Sequence, residues 1–246
     1  LARSLAAQGG YDRDAVWRAY HAWADSSPFD IGMTTSAALV YQEPPPAGRH
    51  SDSQANGALM RCSPLALAGW RNVEQMLDWS DQDASLTHSN PVCLAANRAY
   101  LRALARGLAG GEPQEMYEAA VAGSEGPVQT ILEAAHSEPP QDFMSHMGWV
   151  LIALQNAFYR LLHSKSLRDG VIDTVRAGGD TDTNGCIAGA LLGAYHGVGA
   201  IPPLWRRAVL SCRPHADSGA KRVRPNFLWP VDVYPLVEKL LTRGLS

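Results

Sequence analysis

The chain has 246 residues, 46% of them apolar and 18% charged, and a formal net charge of −3. The apolar share is enough to bury one sizeable core and excludes disorder over most of the chain. The near-neutral balance, with no basic stripe interleaved with aromatics, excludes a bulk electrostatic grip on nucleic acid.

In chain order, the predicted elements are helical. Apolar positions recur at helical spacing, and alternating β-branched runs are nearly absent. A first helix over 1–8 stops at Gly9-Gly10. Asp12 caps a helix carrying Val16, Trp17, Tyr20 and Trp23. Further helices are predicted over 57–68, 73–79, 91–108, 113–122, 128–135, 149–163, 167–177, 184–195, 204–210 and 231–242. Loops are marked at 42–50 by three consecutive prolines, at 137–141 and at 215–230. No fixed-period repeat and no linker is evident, so one all-α domain of about ten helices spanning 1–246 is expected. The longest basic cluster, Lys221 to Arg224, reads as a solvated loop.

The most apolar stretch, 186–195, is about half of the roughly 20 residues that span a bilayer, so neither a membrane span nor a signal peptide is expected. Cys62, Cys93, Cys186 and Cys212 lie far apart with no C-x-x-C spacing. That argues against a thiol–metal knuckle or a disulfide framework. Each reads as a small buried residue in a reducing compartment, which points to the cytoplasm.

The strongest chemical signal is Gly178-Gly179-Asp180-Thr181-Asp182-Thr183-Asn184-Gly185. Two carboxylates two residues apart, followed by a hydroxyl, converge only if the backbone turns sharply, and the two glycines permit that. These oxygens suit Mg²⁺, Mn²⁺ or Ca²⁺ rather than zinc. An EF-hand is excluded because the twelfth position, where a bidentate Glu is needed, is Leu191. Two readings stay open: Asp182 or Thr183 merely caps the following helix, or Asp180, Asp182 and Thr183 bind a hard metal. Gly185, Gly189 and Gly193 form a bare stripe on that helix. Such a stripe lets another helix pack closely, which favours the second reading.

The stretch Gly179–Gly197, GDTDTNGCIAGALLGAYHG, resembles the C-terminal signature of the ADP-ribosylglycohydrolases. In the same order, 28–35 (PFDIGMTT) resembles that family's D-[IV]-G-x-T loop, and 56–61 (NGALMR) its N-G-x-x-M-R loop. Residues 87–91 (THSNP) resemble T-H-x-x-P, and 148–150 (GWV) a Gly-aromatic-Val helix start. The resemblance covers essentially the whole chain. It implies an all-α hydrolase that removes ADP-ribose from modified protein, most directly from arginine through an N-glycosidic bond. It implies two divalent cations, Mg²⁺ or Mn²⁺, on Asp180, Asp182 and Thr183. Asp30 and Asp182 become the catalytic carboxylates, with Asp30 facing the ribose beside Gly32. Met33 departs from the Asn common in relatives. Asn56 and Gly57 would meet the diphosphate or ribose at a helix N-terminus, with His88 beside them. Trp149 either stacks on adenine or packs in the core, and Arg61 either pairs with phosphate or forms a structural ion pair.

A pair of hard ions needs roughly twelve coordination positions. The resemblance assigns the remaining ligands to a T-D-D-T run after a G-D-x-x-G helix, and neither motif occurs here. An upstream segment or a second chain is therefore expected to complete the site. Two rivals remain: a hydrolase of a serine or O-acetyl-ester linkage, and a non-catalytic module that binds ADP-ribose or a toxin.

Overall fold

A computed structural model describes residues 1–46 and 51–242. Among them the fold is all-α, with one isolated antiparallel bridge and no strand longer than that. The prolines of the predicted 42–50 loop are irregular through Pro46, whereas 47–50, including His50, lie outside the described residues.

The helices begin with α1 (Ala2–Gln8), α2 (Arg13–Asp25), α3 (Met33–Ala38), α4 (Gly57–Arg61) and α5 (Ser63–Gly69). They continue with α6 (Val73–Ser85), α7 (Pro91–Leu108), α8 (Pro113–Val121), α9 (Gly126–Ala135) and α10 (Val150–His163). The last are α11 (Leu167–Arg176), α12 (Thr181–His196), α13 (Pro203–Leu210) and α14 (Val233–Thr242). The local signals act as expected. Gly9 ends α1 in the left-handed region at φ 81°, and the Asp12 carboxylate accepts from the Ala15 N–H at 2.7 Å. Asn90 caps α7 ahead of Pro91.

Three differences have physical causes. The helix predicted over 57–68 is broken at Cys62, because Pro64 falls in the first turn of α5. A proline there lacks the N–H that a continuous helix would use, and its ring would strike the carbonyl four residues back. The six-residue α3 is too short to show a periodicity. Finally, α12 starts three residues earlier than predicted, which draws Asp182 and Thr183 into its first turn.

The core is built on α7, α10 and α12. Every residue from Val150 to Phe158 is buried, and the Tyr100 hydroxyl donates to the Ile187 carbonyl at 2.8 Å. Cys62 and Cys93 are buried, but Cys186 and Cys212 are exposed, contrary to expectation; all four are free. Cys212 follows α13, in a segment with no buried residue of its own. No helix among the described residues is long and apolar enough to cross a membrane.

The glycine stripe of α12 does meet another helix: Gly185, Gly189 and Gly193 face Val175, Val171 and Leu167 of α11. Added Cβ atoms there would sit 3.7, 3.5 and 4.0 Å from those side chains, which is ordinary contact. The tight approach is instead at Gly170 of α11, where a Cβ would lie 2.5 Å from Leu192 Cδ1 and 2.9 Å from Ser164 Oγ. Gly193→Ala should therefore stabilise the protein by roughly 0.5–1 kcal/mol, the helix-propensity gain. Gly170→Ala should destabilise it by about 1–2 kcal/mol through overpacking. Urea midpoints at unchanged m-value check both signs.

Candidate active site

Three distant segments meet at the start of α12. Residues 54–57 pair with 148–150 across the bridge between Ala55 and Trp149. The Asn56 N–H donates to the Gly148 carbonyl at 2.8 Å, and the Val150 N–H donates to the Gln54 carbonyl at 2.9 Å. From there the Asn56 Nδ2 donates to Asp180 Oδ2 at 2.8 Å. Gly179 has φ 69°, and a Cβ on it would lie 2.1 Å from the Phe143 carbonyl oxygen, so only glycine lets the 141–147 turn close over this loop. The Gly179 N–H points at Met144 Sδ, 3.2 Å away.

Asp180 is the N-cap residue of α12, yet its side chain makes no capping bond. Its carboxylate is held by Asn56 instead. Asp182 is exposed in the first turn, and Thr183 is buried. The capping reading thus applies to neither Asp182 nor Thr183. In the same turn Asn184 is 2% exposed and its Oδ1 has no partner among the described residues. All of these are hard oxygens, the chemistry that suits Mg²⁺ or Mn²⁺. The positive end of α12 works against a cation here, so two carboxylates are needed to offset it. Among the described residues no cluster of three or more His, Cys, Asp or Glu is found. Asp180, Asp182 and Thr183 bring two carboxylates and a hydroxyl to this helix start, fewer acidic groups than such a cluster needs.

Asp30 and Gly32 are exposed in the loop between α2 and α3, and Gly32 is the N-cap of α3. This loop runs into the site's wall. Thr34 Oγ1 lies 2.7 Å from Ser53 Oγ, and Thr35 Oγ1 would be 3.6 Å from a Cβ on Gly57. No hydrogen bond joins Asp30 to Asp180 or Asp182 among the described residues.

Beneath the Asn56–Gly57 loop lies a buried polar network. Arg61 pairs with Asp83 at 3.0 Å, their side chains 16% and 0% exposed. Arg61 also donates to the Asp83 carbonyl and, at 2.8 Å, to Thr87 Oγ1. The Tyr20 hydroxyl donates to Asp83 Oδ1 at 2.6 Å, and its ring lies 4.8 Å under the guanidinium. Burial works against the Arg61 charge, but the Asp83 carboxylate and the Tyr20 and Tyr11 hydroxyl groups together outweigh it, and the guanidinium pKa is raised. Arg61 is thus a structural ion-pair residue, which decides between its two readings. Asp83 was not marked by sequence reasoning. Its only signal was an acid at a helical position that otherwise faces the core.

Thr87 Oγ1 also lies 2.7 Å from His88 Nδ1. Which of the two groups donates depends on the imidazole tautomer, since the Thr87 oxygen that accepts from Arg61 has a second lone pair. His88 is 1% exposed, and a Cβ on Gly57 would be 2.9 Å from its Nε2. It sits below the loop, reaching the surface only past a residue with no side chain. Burial, reinforced by Arg61, pushes its pKa down to about 3.

Asn56 makes no capping bond to α4, and α4 has only five residues. So short a helix aligns few peptide dipoles toward an anion. Trp149 packs partly against the core, and its Nε1 donates to Gln54 Oε1 at 2.8 Å. It also lines a cavity of about 380 Å³ with Asp52, Gln54, His146, Met147 and Gly148. Core packing and a cavity-lining position are both present in this one residue. A larger apolar groove of about 970 Å³ lies between α5, α11, the second half of α12, α13 and α14, and none of the predicted site residues lines it.

A helical fold with an Asp-Thr-Asp-Thr helix start held by an Asn-Gly loop defines a class, and comparison with known proteins identifies it. The family model described as ADP-ribosylglycohydrolase matches residues 1–230, and the chain belongs to that family. It is 29% identical over 212 residues to the ADP-ribosyl-[dinitrogen reductase] glycohydrolase of Rhodospirillum rubrum, covering 83% of this chain and 68% of the relative. It is 25% identical over 218 residues to the ADP-ribosylarginine hydrolase Tri1 of Pseudomonas putida (strain GB-1), covering 83% and 58%. It is 28% identical over 208 residues to the ADP-ribosylhydrolase ARH3 of Homo sapiens, covering 68% and 56%. A solved structure described as an ADP-ribosylglycohydrolase-related protein complex shares the fold at a TM-score of 0.79 and 24% identity, covering 99% of this chain and 78% of that one. Together these support an enzyme of the ADP-ribosylhydrolase type.

The low His88 pKa has a consequence for stability. In the unfolded chain the imidazole binds its proton below the usual 6.5, while in the folded protein it does so only near 3. The unfolded state therefore binds more protons between these values, and stability present above 6.5 is lost as pH falls toward 3. His88→Gln, which keeps a partner for Thr87, should flatten this loss by up to about 1.4 kcal/mol per pH unit. Urea midpoints measured from pH 7 down to 4 check it.

Proposed function

We propose that this chain removes ADP-ribose from arginine side chains of modified proteins by hydrolysing the N-glycosidic bond. The observation that carries this reading is the Asn56–Asp180 hydrogen bond, which joins the Asn-Gly loop to the Asp-Thr-Asp-Thr helix start beside the cavity lined by Gln54 and Trp149. The arginine linkage is supported by the activity for which the Pseudomonas putida relative is named.

Asp180, Asp182 and Thr183 would hold two divalent cations, Mg²⁺ or Mn²⁺, which when bound supply Lewis-acid polarisation of water and of ribose oxygens. Asn56 holds one oxygen of Asp180 and leaves the other outside that bond. Asp30, exposed and ahead of Gly32, takes or shares a ribose hydroxyl proton. Gly57 has no side chain, so the ribose and diphosphate approach the backbone above His88 closely, with His88 Nε2 on the Gly57 side of its ring. The adenosine end lies in the 380 Å³ cavity against Trp149 and Gln54. The departing guanidine leaves protonated.

The test is release of free ADP-ribose from an arginine-ADP-ribosylated protein, with Mg²⁺ or with chelator. Release should need Mg²⁺ and be lost in Asp182→Ala. Asn56→Ala, which frees a ligand from its orienting bond, should lower it by about 10–100-fold and raise the Mg²⁺ concentration required. Release from a serine-linked substrate alone would overturn the arginine assignment. ADP-ribose binding with no release from either linkage would make the chain a binding module.

A further inference from the structure

The loop that carries Asp30 has no anchor of its own. From Ser27 to Met33 no side chain is buried, and Phe29 and Met33 are 84% and 87% exposed. Packing therefore does not position it. The loop leaves α2 through Ser27, which at φ 56° is the non-glycine residue in the left-handed region among the described residues. That conformation is unfavourable for an L-residue and persists only when neighbours hold it. The last turn of α2 contains no basic residue to meet its carbonyls.

Two arginines from the far end of the chain supply what is missing. Arg224 Nη1 donates to the Ser26 carbonyl, at the C-cap of α2, at 2.9 Å. Arg222 Nη1 donates to the Pro28 carbonyl at 3.1 Å, and its guanidinium lies 5.6 Å from the Phe29 ring centroid. The basic cluster that reads as a solvated loop is thus bonded to the two ends of the turn that precedes Asp30. A cation at a helix C-terminus is favourable, and the Ser26 carbonyl at the cap has no partner further along the helix.

The segment bearing the arginines is braced within itself and tied to α1 at its C-terminal end. The Arg224 N–H donates to the Pro214 carbonyl at 2.8 Å, and the Trp229 indole N–H donates to the Arg224 carbonyl at 2.9 Å. Arg3 of α1 then grips Asp232 with two bonds of 2.7 and 2.6 Å and donates to the Trp229 carbonyl at 2.9 Å.

We infer that residues 214–232 form a strap that positions the Asp30 loop, and that Arg224 is a positioning residue for the reaction. This rests on the reading of Asp30 as the group that meets the ribose. Arg224 touches neither substrate nor the reacting atoms; it acts by holding the carbonyl from which the loop departs.

The experiment measures release from the arginine-ADP-ribosylated protein in Mg²⁺ for Arg224→Ala, Arg224→Lys, Asp30→Asn and the double variant Arg224→Ala/Asp30→Asn. A small displacement of a reacting group costs rate more than binding. Arg224→Ala should lower kcat about tenfold, with KM changed by less than about twofold. Arg224→Lys keeps one donor and should recover most of the loss. In the Asp30→Asn background Arg224→Ala should cost less than about twofold further, because both changes act through one group. Hydrogen exchange should quicken at 27–33 in Arg224→Ala and stay unchanged in α7 and α10. An unchanged kcat in Arg224→Ala, or the same tenfold loss with Asp30 already replaced, would overturn the inference. If Asp30→Asn keeps full activity, the functional reading of Asp30 fails, and the strap's effect on turnover fails with it. Faster exchange confined to 27–33 would in that case still uphold the strap as the loop's anchor.

Discussion

Asn56 makes the contact on which the arrangement of the site depends. Its backbone N–H holds Gly148, and its side-chain amide holds Asp180, 124 residues away in sequence. A hydrogen bond to a charged partner is worth about 1.5–3 kcal/mol, but the larger effect is geometric. With one carboxylate oxygen fixed, the first turn of α12 has a defined orientation toward the Asn-Gly loop and the cavity beside it. The glycines at 148, 178 and 179 serve the same contact, because each adopts a positive φ that lets these loops approach.

Below that loop, Arg61, Asp83, Tyr20, Thr87 and His88 form a hydrogen-bonded floor. A buried ion pair adds little net stability over apolar packing, but removing one partner strands the other and costs about 3–5 kcal/mol. Such a network tolerates few arrangements, so it suits the role of fixing where Gly57 sits. It also keeps His88 neutral and oriented from below. The polar floor and the Asn56 contact above it are independent in sequence and converge on the same two residues.

Much of the helical architecture was legible. Gly9, Asp12, Asn90 and Pro91 act within one turn of their own position, so their effects are local and readable. Pro64 carried the same kind of signal, and its break was missed because the apolar spacing continues through Cys62. The glycine stripe on α12 announced a helix contact, and α11 makes it, but the close approach belongs to Gly170 on the partner. A stripe shows that room exists and not which side uses it. Asp83, Arg222 and Arg224 read as ordinary polar positions, because the groups that give them roles lie 22 to 198 residues away.

The amino-acid sequence by itself determined the all-α class, the position of most helices and the cluster of hard oxygens at 180–183. These follow from periodicity, caps and residue chemistry, which act over a few residues. Only the tertiary structure decided that Asp180 is held by Asn56 rather than capping its helix. It alone decided that Arg61 serves Asp83, that His88 lies beneath Gly57, and that a C-terminal strap grips the Asp30 loop. Each of those assignments turns on which of several possible partners a polar group meets. That choice is made when the helices pack, because a buried donor or acceptor must be satisfied by whatever the fold brings within about 3 Å of it.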